Sequence, residues 1–240
     1  SVNDPENSPG RYAGRGGLGA VMGARGVKVM IVDDKGGPGV ELANKELYTE
    51  GRKKVAAAMG EHALTKVDGG LWAFGTNVLM NIINEAGGLP TRNFSAGQFE
   101  GAAKISGEAV SERIEARGGV GKVHHACHPG CIMQCSNIYP HEDGSEFVSV
   151  LEYETCWALG ANCGIDDIEY IAQATWECND IGLDTIEAGN TIAIAMDGGH
   201  LEFGDVKGAL KLFDEMREGT PLGRVLGQGV EATAKAFGVY

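Results

Sequence analysis

Nowhere does this sequence hold an apolar run of the roughly 18 residues that a membrane-spanning helix requires. It also lacks any Lys/Arg cluster: 20 basic residues are scattered against 33 acidic ones, for a formal net charge of -13. A phosphate backbone or an anionic membrane surface needs a concentrated positive field, so neither nucleic acid nor a membrane is expected as a partner. The opening residues, Ser1-Val2-Asn3-Asp4-Pro5-Glu6-Asn7-Ser8, have neither the charged nor the apolar part of a signal peptide, and the missing Met reads as a fragment boundary. Disulfide scaffolding is excluded too. Six cysteines in 240 residues are few, and their clustering suits a metal or redox role in a reducing compartment, here the cytoplasm.

What the chain has in excess is glycine, 38 residues or about twice the usual share. No repeat accounts for them. They fall in short knots, which implies tight turns and close backbone approaches.

The chemistry concentrates in Ala126-Cys127-His128-Pro129-Gly130-Cys131-Ile132-Met133-Gln134-Cys135-Ser136-Asn137. Three thiols at C-x3-C-x3-C, with turn residues between the first two, let the backbone wrap a central object. The spacing favours an iron–sulfur cluster, since cubane clusters take three thiolates from one loop and a fourth from far away. A zinc ion with His124, His125 or His128 as fourth ligand, or a redox disulfide with a spare thiol, stays open. Cys156, Cys163 and Cys178 could supply a distant ligand, but each sits in an apolar helical pattern and reads as core.

Helical signals dominate the rest. Gly36-Gly37-Pro38-Gly39 breaks the chain and sets a domain boundary, giving segments 1–38 and 39–240. Before it, residues 27–32 (Val-Lys-Val-Met-Ile-Val) predict a strand. After it, helices are expected over residues 42–59, 74–86 and 99–116, the last interrupted near Gly107. Further helices start at Asp166, Asp184, Asp205 and Thr220-Pro221, with Glu169 and Glu187 as capping-box partners of the first two. The fold class is therefore mainly α: a multi-helix domain behind a short β-rich remnant.

Gly14-Arg15-Gly16-Gly17-Leu18-Gly19 matches G-x-G-x-x-G, but no strand is readable before it and too few residues follow for a crossover helix, which excludes a Rossmann unit. A tight turn between strands, or a backbone cradle for an anion, remains. Glu152 and Glu154 lie in an otherwise apolar stretch, where desolvation would raise a carboxyl pKa and suit proton transfer; a half-exposed helix face explains them equally well. Asp184 is explained by capping alone.

Taken together, Arg15-Gly16-Gly17-Leu18-Gly19-Ala20-Val21-Met22-Gly23, Gly88-Leu89-Pro90-Thr91-Arg92-Asn93-Phe94, the cysteine loop, Glu152-Tyr153-Glu154-Thr155 and Asn179-Asp180-Ile181-Gly182-Leu183-Asp184-Thr185 resemble the aldehyde:ferredoxin oxidoreductase family of tungsten- or molybdenum-pterin enzymes. The resemblance implies that residues 1–38 are the tail of a pterin-binding first domain and residues 39–240 the helical middle domain, the last domain being outside the chain. It implies Cys127, Cys131 and Cys135 as ligands of a [4Fe-4S] cluster whose fourth cysteine belongs to that last domain. It implies Arg15, Gly16, Gly17, Asn179, Gly182, Leu183 and Asp184 as contacts of a tungsten (or molybdenum) bis-pterin, and Glu154 as the catalytic carboxylate. The implied activity is oxidation of a small aldehyde, with ferredoxin or another carrier taking the electrons, the remaining domains and a homodimer as partners, and no activity in the fragment alone. Reduction of an aromatic acyl-CoA within the same family, or a stand-alone cluster or zinc module, are the alternatives.

Three departures accompany the resemblance. The first cysteine gap is three residues where many members have two. Asn179 stands in place of an aspartate. Gln173-Ala174-Thr175-Trp176 replaces an E-x-x-H pair, which implies no metal shared between subunits.

Overall fold

The computed structural model describes residues 2–3, 9–11, 16–33, 35–128 and 130–239, the first two stretches by backbone alone. At the front, β1 (Val2–Asn3) pairs antiparallel with β2 (Pro9–Arg11). Helix α1 (Leu18–Ala24) opens directly from Gly17. The expected strand at 27–32 is not formed, and Val29, Met30, Ile31 and Val32 are exposed. A strand needs a neighbour for its backbone N–H and C=O groups, and among the described residues none runs beside this one. The glycine knot thus leads into a helix, but no parallel strand pair flanks it among the described residues, so the Rossmann reading stays excluded.

Helix α2 (Lys45–Glu61) starts where the Asn44 side chain accepts from the Leu47 N–H at 2.9 Å, and it buries no residue. The helix expected over 74–86 is broken into α3 (Gly70–Phe74), a 3-10 turn (Gly75–Val78) and α4 (Leu79–Glu85). Gly75 makes the break, with φ 60 and ψ -156. The next helix is interrupted at Gly107 as expected: a 3-10 turn (Ala102–Ile105) precedes α5 (Gly107–Arg117), capped by Ser106.

A sheet the sequence did not announce comes next. β3 (Lys122–His125), β4 (Ser136–Pro140) and β5 (Glu146–Val148) pair antiparallel in the order β3-β4-β5, and β4 is buried along its whole length. Strands this short, and this rich in histidine, serine and asparagine, carry little period-2 signal. The sheet is fastened to the helices through Tyr139, whose hydroxyl donates to Glu169 Oε1 at 2.7 Å. Arg113 and Arg117 reach the same oxygen at 2.8 and 2.7 Å, and Arg117 also donates to the Pro140 carbonyl at 2.8 Å.

Most of the core is built by α6 (Tyr153–Leu159), α7 (Ile168–Ile181), α8 (Thr185–Asp197), α9 (Val206–Glu218), α10 (Pro221–Leu226) and α11 (Val230–Phe237), and Met80 of α4, Val110 and Ile114 of α5 and Tyr139 of β4 join it. On α9, Ala209, Leu212, Phe213 and Met216 bury one stripe at i, i+3, i+4, i+7. Helix α8 crosses α6 so closely that a Cβ on Gly189 would lie 2.5 Å from the backbone of Ala158; only glycine permits this approach. Cys156, Cys163 and Cys178 are buried in the core, as read from the sequence.

Capping corrects two details. Asp167, not Asp166, caps α7, accepting from the Glu169 N–H at 2.9 Å, while Asp166 pairs with Lys104 at 2.6 Å. Asp184 caps α8 by accepting from Ile186 N–H at 3.3 Å, but Glu187 accepts from Val230 N–H at 2.9 Å and so ties α8 to α11. The chain is mainly α, as expected, and no helix among the described residues is long and apolar enough to cross a membrane.

Candidate functional site

The cysteine loop is the tip of a hairpin. β3 and β4 run antiparallel with His125 opposite Ser136, and the loop bulges out between them. The entry strand is anchored by His124, whose Nδ1–H donates to the Trp72 carbonyl at 2.7 Å and whose ring stacks on Trp72 at 4.3 Å. Inside the loop the Cys131 N–H closes a turn on the His128 carbonyl at 3.1 Å.

Cys127 is exposed, while Cys131 and Cys135 are half-buried. The ligand atoms of Cys127, His128 and Cys131 all lie within 4.8 Å of one another. The backbone N–H of Gln134, which has φ 46, holds the Cys131 thiol below its ordinary pKa, against some burial and helped by the Cys127 thiol. Burial pushes the Cys135 thiol up, and the Glu152 carboxylate adds to the shift. Backbone dipoles thus favour charge on one thiol, and burial disfavours it on another.

The turn at Gly75-Thr76-Asn77 sets this loop against the helices, a role that the sequence did not reveal. A Cβ on Gly75 would lie 2.5 Å from the Cys135 carbonyl oxygen. Thr76 Oγ1 accepts from the Tyr153 N–H at 3.0 Å, at the start of α6. Asn77 donates to the Ile105 carbonyl at 3.0 Å and to Cys156 Sγ at 3.4 Å. On the exit strand, Asn137 grips Leu151 twice, donating to its carbonyl and accepting from its N–H, both at 2.9 Å. A polar G-T-N stretch inside an apolar helical pattern was the available signal.

From Leu151 the chain enters α6, with Glu154 half-buried in the first turn. Thr155 Oγ1 meets Thr185 Oγ1 at 2.9 Å, which joins the start of α6 to the start of α8, where Asp184 stands. Asn179 lies in the last turn of α7; Gly182 ends that helix in the left-handed conformation, and Leu183 N–H bonds back to the Cys178 carbonyl at 2.8 Å. The structure thus gathers the cysteine loop, Glu154 and the 179–184 connection on one frame.

Of the front knot, Gly16 and Gly17 are among the described residues. Gly16 and Gly17 have positive φ, a Cβ added at either would meet nothing within 4 Å, and α1 buries no side chain. Arg15 lies outside the described residues.

The Gly88–Phe94 stretch of the sequence takes an unusual form. Arg92, Asn93 and Phe94 are left-handed in succession, with φ 44, 52 and 61. Each costs about 1–2 kcal/mol outside glycine. The cost is offset by Arg92 N–H on the Ala161 carbonyl (3.1 Å), Asn93 N–H on the Asn162 carbonyl (3.0 Å) and Phe94 N–H on Asn162 Oδ1 (3.0 Å). Asn162 also donates to Asn190 Oδ1 at 2.9 Å, and Phe94 sets its ring edge against Trp157, 5.9 Å away on α6.

The family described as aldehyde ferredoxin oxidoreductase, domains 2 and 3, matches residues 50–239. The chain is 41% identical over 191 residues to the tungsten-containing aldehyde ferredoxin oxidoreductase of Pyrococcus abyssi, covering 80% of this chain and 30% of the relative. The enzyme of the same name from Pyrococcus furiosus is 40% identical over 206 residues, covering 83% and 32%. An aliphatic sulfonate oxidoreductase, WOR-like subunit, of Pyrococcus furiosus is 26% identical over 238 residues, covering 92% and 36%. The chain spans about a third of the length of these relatives. With its match running through the cysteine hairpin and the α6–α8 frame, the chain belongs to the aldehyde ferredoxin oxidoreductase family.

Proposed function

We propose that the chain is part of a tungsten- or molybdenum-pterin oxidoreductase that oxidises an aldehyde to a carboxylic acid and delivers the electrons to ferredoxin or a similar carrier. The observation that carries this reading is the series of bonds Asn137–Leu151 and Thr155–Thr185, which lines up the cysteine hairpin, Glu154 and Asp184 on one rigid frame. Cys127, Cys131 and Cys135 would hold a [4Fe-4S] cluster. The donor set fits it: three thiols in one loop, one of them stabilised as thiolate by backbone N–H groups. Asn179, Gly182, Leu183 and Asp184, with Arg15, Gly16 and Gly17, would hold the pterin. Asn179 brings an amide where an aspartate would bring a charge. When bound, the pterin metal supplies the two-electron oxidation and the cluster a route for electrons.

The chain's own residues do the rest. Glu154 would hold or release a proton at its carboxylate beside the substrate, in a helix start fixed by Thr76 and Thr155. Residues 1–38 would belong to the preceding domain and residues 39–240 to the helical one. In support, Leu18, Val21, Met22 and residues 29–32 expose apolar side chains that the helical core does not use, and remaining domains would cover them.

The test is metal analysis and kinetics of the full-length protein purified anaerobically. Tungsten or molybdenum together with iron is expected, and Glu154→Gln should lower kcat for aldehydes by about 100-fold or more at unchanged metal content. Zinc alone, or a Glu154→Gln variant at wild-type kcat, would overturn the reading.

A further inference from the structure

We propose that Phe94 and Trp157 form an aromatic wall beside Glu154, one that favours aldehydes bearing an aromatic ring over small aliphatic ones. The inference deepens the proposed aldehyde oxidation and rests on Glu154 being the carboxylate that meets the substrate.

Helix α6 leaves one face open. Thr155, Cys156, Ala158 and Leu159 are buried, whereas Tyr153, Glu154 and Trp157 are half-buried. Residues three and four apart lie on the same side of a helix, so Trp157 stands one turn beyond Tyr153 and Glu154 on the face that carries the acid. A molecule held at the Glu154 carboxylate therefore has that indole as a neighbour. Tyr153 adds a second ring to the same face.

Phe94 extends this face from a distant segment. Its ring sets an edge against Trp157, with centroids 5.9 Å apart, and is still 59% exposed. The other two side chains of the left-handed run are engaged elsewhere. Arg92 pairs with Glu100 and lies over the Phe99 ring, and Asn93 donates to Asp197 Oδ2 at 3.0 Å. Of the three, Phe94 alone is set against α6.

The backbone cost of this arrangement is not explained by packing. Three successive left-handed residues outside glycine are strained, and the buried Asn162 side chain holds the last of them in place. The product of that strain is a large ring left mostly in solvent, where it adds little to the core. What it does add is a second aromatic surface next to Trp157, on the side of α6 that presents Glu154. Aromatic rings bury much area against one another in edge-on or offset contact, which an acetyl group cannot reproduce.

The test compares benzaldehyde with acetaldehyde as substrates of the full-length protein purified anaerobically, and benzoate with acetate as unreactive probes in calorimetry. In Phe94→Ala the benzaldehyde-to-acetaldehyde ratio of kcat/KM should fall about 10-fold, mostly through KM, and the benzoate-to-acetate ratio of affinities by a similar factor. Phe94→Tyr keeps the ring and should hold both ratios within about 2-fold of the wild type. Phe94 is exposed, so circular dichroism of both variants should match the wild type. Unchanged ratios in Phe94→Ala, or equal losses for both aldehydes and both acids, overturn the proposal. A wild type that binds benzoate no more tightly than acetate overturns it as well, whatever its activity. Absence of any aldehyde oxidation, with the benzoate preference present and lost in Phe94→Ala, counts against the aldehyde reading and leaves the aromatic wall standing.

Discussion

The hydroxyls of Thr155 and Thr185 meet at 2.9 Å, each one residue beyond a candidate carboxylate, Glu154 and Asp184. This hydrogen bond joins the two helix starts that carry the acids, beside the close approach of α8 to α6 at Gly189. Thr155→Val keeps the shape and removes the bond, and should cost about 1 kcal/mol in urea unfolding. Thr185→Val should cost about the same, and the double variant little more than either, because the two changes delete one interaction.

Gly75 makes a tight contact between the cysteine hairpin and the helices. Gly75→Ala would drive a Cβ to 2.5 Å from the Cys135 carbonyl in a conformation with φ 60 and ψ -156. Strain and overpacking together should destabilise the fold by about 3 kcal/mol or more, read as a drop in melting temperature.

Asn162 is wholly buried and holds the left-handed run at Arg92, Asn93 and Phe94. Asn162→Ala leaves the Phe94 N–H and the Asn190 amide without this partner, and should cost about 2–3 kcal/mol. The same variant should free the 92–96 segment, seen as faster amide exchange there than in α7.

The thiols separate into two classes. A thiol reagent at pH 8 should label Cys127 rapidly and leave Cys156, Cys163 and Cys178 untouched until denaturant is added. Burial pushes Cys156 up to about 12 from an ordinary 9.0, and Cys163 and Cys178 upward as well. A raised pKa means that the folded chain binds the proton more tightly than the unfolded one. Stability is then fully present below pH 9 and falls as pH rises from 9 toward 12, by about 1.4 kcal/mol per pH unit for Cys156 alone. Urea unfolding at stepped alkaline pH should show this slope, reduced by one proton in Cys156→Ala.

What the sequence made legible follows from the range of the forces involved. Helices α7, α8 and α9 were readable because caps and apolar stripes are local, and the three core cysteines because their surroundings repeat with helical period. The β3-β4-β5 sheet was not, since its strands are short, polar and held by distant groups such as Glu169. The strand read at 27–32 failed for the opposite reason: its residues suit a strand, but pairing needs a neighbour. At the site, Glu154 and Asp184 could be named from motifs, whereas Thr76 and Asn137 could not, because a threonine or asparagine that bridges 14 or 77 residues looks like any other polar side chain.

The ladder that frames the cysteine loop also governs how the loop can vary. His125 opposite Ser136 fixes the register at the neck, and the two bonds from Asn137 to Leu151 lock the strand beyond it. An inserted or deleted residue between Cys127 and Cys131 is therefore absorbed in the turn and cannot slide β4 or move Glu154. Ligand spacing and acid placement are free to diverge independently, so the hairpin neck works as an insulator between the loop's length and the chemistry behind it.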